Sequence, residues 1–370
     1  MLTKTFYYIS NFLLQSNNES GIICGVNVYV LGELKMNFTI KDVAKKANVS
    51  IATVSRIINH KKGYSDKTKE KVLQAIEDLG YYPNAIARGL INKRTHTIGV
   101  IVPELSNMLT SKVISGIEKA AHEVESSVIV CHTESNGEKT MKYLQLLQEK
   151  QVDGIIFASQ VLTADYYNYI KRMNIPLVLL LTESFTYPVP YVKVNDKQAA
   201  YTATQYLIDN GHRKIGMVSG NASDMIAGQP RIDGFINALK QNGLTVEQNN
   251  IVSADGFGFE DGLEGFNQLK RQIPDVTAVF AASDEIALGL LSAAYQMNIL
   301  VPEQLSVIGY DNLKITEMSI PPLTTVAQPF GDMGETAAKM IFQLLETDED
   351  IESRVFPHRI VERKSVHHLT

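Results

Sequence analysis

The sequence predicts two structural classes in one chain: a small all-α head and a large two-lobed α/β core built on parallel, doubly wound sheets. Residues 37–94 place apolar side chains at helical spacing and carry twelve lysine and arginine residues against five acidic ones. From residue 95 onward, short apolar runs alternate with longer amphipathic segments, as in repeated βα units. This larger part is acidic, so the net charge of −5 conceals a basic module joined to an acidic body.

The composition excludes several classes of protein. With 370 residues, 45% hydrophobic and 20% charged, the chain resembles an ordinary soluble globular protein rather than a disordered or fibrous one. No apolar run reaches the length of about 18–20 residues that a membrane span needs. Two cysteines, Cys24 and Cys131, cannot form a disulfide framework and suit a reducing cytoplasm. The residue spacings indicate no metal site.

Three helices are predicted in the head, each preceded by a hydroxyl side chain that can cap it. Thr39 precedes the first helix, which Asn48 interrupts, and Ser50 precedes the second. Ser65 precedes the third helix, which ends at Gly80. The predicted inward positions are Ile40, Val43, Ala44, Ala47, Val54, Ile57, Ile58, Val72, Ile76 and Leu79.

Two short helices around a tight turn, followed by a third, form a helix-turn-helix plan. The exposed face of the second helix then carries short hydroxyls, suited to phosphate, and side chains that can meet base edges in the major groove. The hydroxyls are Ser50, Thr53 and Ser55, and the base-facing residues are Ile51, Ala52 and Arg56. The alternative is a plain three-helix scaffold with Arg56 in solvent, which the excess of basic residues disfavours.

The head resembles the lac/gal repressor family of bacterial transcription regulators. The similarity lies in Thr39-Ile40-Lys41-Asp42-Val43-Ala44, in the stretch 49–59, and in Tyr81-Tyr82-Pro83-Asn84-Ala85 and the residues up to Leu90. The resemblance implies a double-stranded DNA operator as partner. The DNA-binding residues that it and the helix-turn-helix plan indicate are Thr39, Ser50, Ile51, Ala52, Thr53, Ser55, Arg56, Asn59, Asn84 and Leu90.

The resemblance also implies a hinge helix over residues 84–91, in which Leu90 is a wedge inserted between base steps in the minor groove. The residues are compatible with this, because Pro83 stops the preceding helix and Asn84 can cap a new one. A single short helix that contains Gly89 should be marginal on its own. Without the family analogy, Leu90 is more simply a core contact.

The core is expected to contain two series of βα units, and hence two lobes with a cleft between them. Ligands of such sheets bind beyond the carboxyl ends of the strands. The predicted strands are 97–103, 128–133, 154–159, 176–181, 214–220, 277–282 and 305–310, with helices at 107–125, 195–210 and 226–242. The glycines of 256–262 have the wrong spacing for a dinucleotide loop, and no phosphate-binding loop or nucleophile motif is present. We therefore expect a binding protein rather than an enzyme, without a cofactor.

The core resembles the same family through several motifs, among them Arg231-Ile232-Asp233-Gly234-Phe235, Ser283-Asp284-Glu285, Gly309-Tyr310-Asp311-Asn312 and residues 322–329. The resemblance implies a periplasmic-binding-protein-like core that binds a small effector, most often a sugar. On matching positions, Arg231 would donate to effector oxygens, Asp284 would accept from hydroxyls and Phe257 would stack on a sugar face. The alternatives are a surface salt bridge for Arg231, a helix cap for Asp284 and simple packing for Phe257.

Three departures from the family pattern concern the cleft. At the wall where the family often has aromatic residues, this chain has Asn107 and Leu109, which we take as effector contacts. A family acidic position falls on Leu181, and the usual Asp-Asn pair appears as Asn195-Asp196. An ordinary hexose is thereby disfavoured, and the effector could be less polar, differently shaped, phosphorylated or not a sugar.

The predicted organisation is a non-family extension at 1–36, disordered or the product of a misassigned start, a head at 37–82, and a hinge helix and linker at 83–94. The effector-binding and dimerisation core covers 95–370, with lobe one at 95–194 and 325–350 and lobe two at 195–324 and 351–370. No leucine heptads follow the core, so we expect a homodimer. The expected function is effector-controlled transcription regulation, by repression. The first alternative is an exported solute-binding protein with residues 1–35 as its signal, and the second is an enzyme on the two-lobed body.

Overall fold

The computed structural model describes residues 38–58, 62–81, 94–103, 108–133, 139–158, 160–347 and 349–369. The chain divides between Pro83 and Asn84 into two compact units. The predicted extension at 1–36 and the predicted hinge helix at 84–91 lie outside the described residues. Within the described part of the chain, no helix is long and apolar enough to cross a membrane.

The head consists of three helices, α1 (Ile40–Ala47), α2 (Ile51–Ile58) and α3 (Asp66–Leu79). The hydroxyl of Ser50 accepts the backbone N–H of Thr53 at 3.1 Å, and that of Ser65 accepts the N–H of Thr68 at 3.3 Å. The predicted ends are also present, since Asn48 and Gly80 both take the left-handed conformation that closes a helix. The buried core of the head is Val43, Ala44, Ala47, Val54, Ile57, Val72 and Ala75.

Lobe one begins with the strands β1 to β5 and the intervening helices α4 to α6. Their bounds are β1 Thr97–Val102, α4 Met108–Glu123, β2 Ser127–His132, α5 Thr140–Glu149, β3 Gly154–Ala158, α6 Ala164–Met173, β4 Leu177–Leu180 and β5 Tyr191–Val194. The first strand lies between β2 and β3 and pairs in parallel with both. The strand order therefore reverses at β1, and the carboxyl end of this strand opens on the crevice where ligands of such sheets bind.

Lobe two repeats this arrangement. Its elements are α7 Asp196–Asp209, β6 Ile215–Ser219, α8 Gly228–Gln241, β7 Ile251–Ser253, α9 Phe259–Gln272, β8 Ala278–Ala281, α10 Asp284–Gln296, β9 Ser306–Asp311, α11 Ile315–Met318 and β10 Thr324–Ala327. Here β6 lies between β7 and β8, again in parallel. The two switch points, after β1 and after β6, give one ligand-binding edge on each lobe.

The chain then returns to lobe one and back again. It forms α12 (Phe330–Glu346) and β11 (Arg354–Phe356) in lobe one, and β12 (Arg359–Val361) in lobe two. The sheet orders are β11-β5-β4-β3-β1-β2 and β12-β10-β9-β8-β6-β7. All pairs are parallel except β12 with β10.

Strand pairing moves the lobe boundaries away from those predicted. β10 pairs with β9 of lobe two, so the second crossing falls after Ala327 rather than before residue 325. β11 pairs with β5 of lobe one, so the third crossing falls after Phe356 rather than at residue 350. The first crossing, between β5 and α7, lies at Asn195. The three crossing segments are therefore residue 195, residues 328–329 and residues 357–358.

Candidate nucleic-acid interface and effector cleft

The outer face of α2 carries the side chains that the sequence assigned to DNA. Ile51 is 46% exposed, and Ala52 and Arg56 are also exposed, whereas Thr53 and Ser55 are half-buried. Ser50, which caps the helix, also bonds the hydroxyl of Thr53 at 2.9 Å. The face that can enter a groove is therefore built on a helix whose opposite side is buried against α1 and α3.

Thr39, another predicted DNA contact, lies directly before α1. Thr39 is exposed, and both its N–H and its hydroxyl donate to Asp42, at 2.8 and 2.7 Å. Its hydroxyl oxygen is thus oriented by the start of α1. The predicted contacts Asn59, Asn84 and Leu90 lie outside the described residues.

A cavity of about 530 Å³ lies between the two lobes of the core. Lobe one contributes apolar groups such as Leu109 and Leu181, and lobe two contributes most of the charged groups. The lining residues are Pro103, Leu109, Thr110, Leu181, Lys193, Val194, Asp196, Asp224, Ile226, Ala227, Arg231, Asp255, Gly256, Phe257, Gly258, Asp261, Ser283, Glu285, Asp311, Leu313, Gln328 and Phe330. The predicted contact Asn107 lies outside the described residues.

Arg231 lines this cavity from α8 and is almost completely buried. Its Nε and Nη2 donate to Asp196 Oδ1 at 3.0 and 2.9 Å, and its Nη1 donates to the carbonyl of Ala282 at 2.6 Å. The guanidinium also lies 3.9 Å from the centre of the Tyr310 ring. Arg231 therefore lies in the cleft, and its ion pair with Asp196 is buried rather than on the surface.

Asp196, the first residue of α7, joins several of these groups and was not predicted. It accepts the hydroxyl of Tyr310 at 3.2 Å, and its other oxygen lies 3.8 Å from Lys193 Nζ. Lys193 in turn donates to Glu183 at 2.7 Å. Burial opposes the charge on Arg231, but the pKa of Arg231 is nevertheless raised, chiefly by Asp196. The result is a network of two positive and two negative side chains beside the first crossing between the lobes: Lys193 and Arg231 with Glu183 and Asp196.

Phe257 also lines the cavity, in front of the carboxyl end of β6. Its ring lies against Gly220, where an added Cβ would come within 2.4 Å of the ring. Glycine is thus needed at residue 220 because the ring approaches the backbone so closely. The guanidinium carbon of Arg231 lies 5.6 Å from the centre of the same ring. Packing and effector contact are both compatible with this placement of Phe257.

Asp284, the predicted acceptor of effector hydroxyls, makes its hydrogen bonds within lobe two. This side chain is fully buried and is not among the residues that line the cavity. Its two oxygens accept the N–H of Leu313 at 2.7 Å and the hydroxyl of Thr325 at 2.5 Å. Burial, and then the charge of Asp311, raise the pKa of Asp284 well above its usual value. Asp284 therefore holds the β9–α11 connection together, and the helix cap at this position is Ser283, which accepts the N–H of Ile286.

Asp311, at the end of β9, is a carboxylate that lines the cavity. The backbone φ of Asp311 is 121°, a value that residues other than glycine rarely adopt. Its Oδ1 accepts Gln328 Nε2 at 2.8 Å, which ties the second crossing segment to lobe two. Burial raises the pKa of Asp311 to about 7, although Arg231 and Gln328 oppose the rise.

Replacing Asp311 with asparagine is expected to flatten the pH dependence of the core's stability between about pH 4 and about pH 7. A carboxyl with a raised pKa binds its proton more tightly in the folded state, so the stabilisation present at low pH is lost as the pH rises through about 7. Asparagine cannot titrate. Urea unfolding of the parent protein and the variant at about pH 5 and about pH 8 measures the difference. If the free energy of unfolding falls by the same amount between the two pH values in both proteins, the raised pKa of Asp311 is contradicted.

Comparison with known proteins decides the family. Residues 95–364 match the periplasmic binding proteins and sugar binding domain of the LacI family, and residues 39–84 match the bacterial regulatory proteins of the lacI family. The chain belongs to the LacI family. The resemblance predicted from the sequence and the predicted fold class are thereby confirmed.

Individual relatives of the LacI family cover nearly the whole chain. Catabolite control protein A of Priestia megaterium is 38% identical over 332 residues, 89% of this chain and 99% of the relative. The repressor PurR of Photobacterium profundum is 37% identical over 334 residues, 90% of this chain and 99% of the relative. Among solved structures, the lac repressor dimer bound to operator and the anti-inducer ONPF superposes with a TM-score of 0.81 at 27% identity, over 90% of this chain and all of that one.

A second solved structure contains a sugar. The transcriptional regulator CelR in complex with cellobiose has a TM-score of 0.68 at 29% identity and covers 89% of this chain and 100% of its own. Membership of the LacI family makes the chain a DNA-binding transcription regulator with an effector-binding core. The exported solute-binding protein is not favoured, because the helix-turn-helix match has no place in such a protein.

Proposed function

We propose that this chain is a homodimeric, cytoplasmic repressor whose affinity for its operator is set by a sugar or sugar derivative bound between the lobes. The observation that carries the proposal is the cavity of about 530 Å³, in which Arg231, Asp311 and Phe257 converge. A guanidinium and carboxylates can bond hydroxyls from opposite sides, and an aromatic ring can cover the apolar face of a sugar.

The roles in the head follow from exposure. Ile51, Ala52 and Arg56 face outward from α2 and would meet base edges, and Thr53 and Ser55 would position the helix on the backbone phosphates. A dimer would present two such helices to a pseudo-palindromic operator. Asn84 and Leu90 remain proposed hinge contacts.

The cavity lies where effector binding can alter the angle between the lobes. Three lining residues, Lys193, Asp196 and Gln328, lie at or beside two of the crossing segments. An effector that contacts them binds the open and closed lobes with different affinity, and it shifts the population of the two states by that difference. We propose that the shift reaches the DNA through the linker at 83–94.

We propose binding without catalysis in this cavity. Two of its carboxylates are used to hold loops: Asp261 accepts the N–H groups of Gly256 and Gly258 at 3.1 and 2.9 Å, and Asp224 accepts that of Ile226 at 2.8 Å. Such groups shape a pocket and are poorly placed to exchange protons with a substrate.

An electrophoretic mobility shift assay tests the proposed function. The purified protein is titrated onto the DNA upstream of its own gene, with random duplex as competitor, at moderate salt, with and without a sugar panel that includes cellobiose and ribose. We expect a preference for the specific fragment that at least one sugar changes. An absence of preference with every addition would refute the proposal.

A further inference from the structure

The positive charges of the effector cavity are already neutralised by the protein. Arg231 is held by Asp196 through two hydrogen bonds to one oxygen, and Lys193 by Glu183 and Asp196. Side chains of Arg231 and Asp196 are 9% and 8% exposed. Neither cation is therefore a free anchor for an anionic ligand.

The rest of the cavity wall is acidic. Among the described lining residues, the acidic side chains outnumber the two basic ones, Lys193 and Arg231. Besides Asp196, which is paired with Arg231, they are Asp224, Asp255, Asp261, Glu285 and Asp311. An anion that moves from water into this site loses hydration and meets like charges, and both effects oppose binding.

We infer that Asp196 determines the charge class of the effector: by holding Arg231, it restricts the cavity to uncharged, hydroxyl-rich molecules and excludes phosphorylated or carboxylated ones. The inference rests on the proposed function, in that the effector occupies this cavity. It resolves one alternative that the sequence left open, since a phosphorylated effector is excluded.

The chemistry of the pair explains why one carboxylate has this effect. A guanidinium binds carboxylate and phosphate through the same planar fork of N–H groups, so Asp196 both occupies the Nε–Nη2 edge and neutralises the charge that would attract an anionic effector. A hydroxyl requires less, because it can accept one remaining guanidinium N–H and donate to a carboxylate such as Asp311. Asparagine at residue 196 would keep an oxygen acceptor for Arg231 but would leave the positive charge unbalanced.

The test is the Asp196→Asn variant with inorganic phosphate as the probe, in a buffer of low chloride. Calorimetric titration and the shift in Tm, each measured from the variant's own baseline, report binding. We expect the variant to bind phosphate at least about tenfold more tightly than the parent protein does. Equal phosphate affinity in the two proteins overturns the inference.

Asp224→Asn is the matched control, because it removes one negative charge from the same cavity while its amide oxygen can still accept the N–H of Ile226. We expect no gain in phosphate affinity from it. If the control gains as much as Asp196→Asn, the effect is one of total charge, and the role of Asp196 is refuted.

The parent protein gives a second measurement that does not depend on the folding of any variant. It is titrated with matched pairs, D-glucose with D-glucuronate and D-ribose with D-ribose 5-phosphate. We expect no acidic member to bind more tightly than its neutral partner, and tighter binding of one overturns the inference. The phosphate test needs no natural effector and no DNA, so its failure is distinguishable from failure of the proposed function, which the mobility shift reports.

Discussion

Replacing Arg231 with methionine is expected to lower the free energy of unfolding of the core by about 3–5 kcal/mol, because it leaves a buried carboxylate without its guanidinium partner. Methionine fills a similar volume but offers no hydrogen-bond donor to Asp196 or to the carbonyl of Ala282. The nearby ammonium of Lys193 lies 3.8 Å from Asp196 and is already bound to Glu183, so it compensates little. The variant should also lose its response to the effector.

Urea unfolding followed by circular dichroism measures the loss. Arg213→Met is the matched control, since Arg213 is exposed on the same lobe and donates only to backbone carbonyls among the described residues, and it should cost less than about 1 kcal/mol. The double variant Arg231→Met with Asp196→Leu should regain most of the stability, because two apolar groups replace the pair. A loss below about 1 kcal/mol in the single variant would mean that the pair contributes little to folding.

Much of the fold could be predicted from the sequence, because its period changes sharply between the two units. Helical spacing and capping hydroxyls located α1 to α3, and long apolar runs located central strands such as β1 and β9. The edge strands β7, β11 and β12 have only three residues each, too few for a periodic signal. The lobe boundaries predicted near residues 325 and 351 differ from the observed crossings, since they depend on which sheet β10 and β11 join.

The site was harder to predict because it depends on side-chain direction. Asp284 follows β8 and Asp311 ends β9, so the sequence places two carboxylates at one edge of the sheet and cannot distinguish them. The structure directs Asp284 into hydrogen bonds within its lobe, and Asp311, with its unusual φ, to the cavity. The sequence did contain a signal for Asp196, because the reversed Asn195-Asp196 pair places a carboxylate directly after the first crossing segment.

Replacing Arg56 with alanine is expected to weaken binding to the operator by about 1–3 kcal/mol, or about five- to 150-fold, and to relax the preference at one base pair. Arg56 lies in the last turn of α2 and is exposed, while the buried Val54 and Ile57 fix the orientation of this face. A guanidinium in this position can bond guanine O6 and N7 together, and alanine cannot replace either bond. The fold of the head should persist, because Arg56 contributes nothing to its buried core.

Fluorescence anisotropy with a labelled upstream fragment and a random duplex of equal length separates specificity from charge. Lys71→Ala is the control, since Lys71 is exposed on α3 and its loss removes the same charge from the head. The control should weaken binding to both duplexes by a similar factor and reduce the salt dependence of binding. Arg56→Ala should instead lower the ratio of specific to random affinity, because a base contact distinguishes sequences and a phosphate contact does not. If the two variants behave alike, Arg56 contacts the backbone only, and base recognition by α2 rests on Ile51 and Ala52.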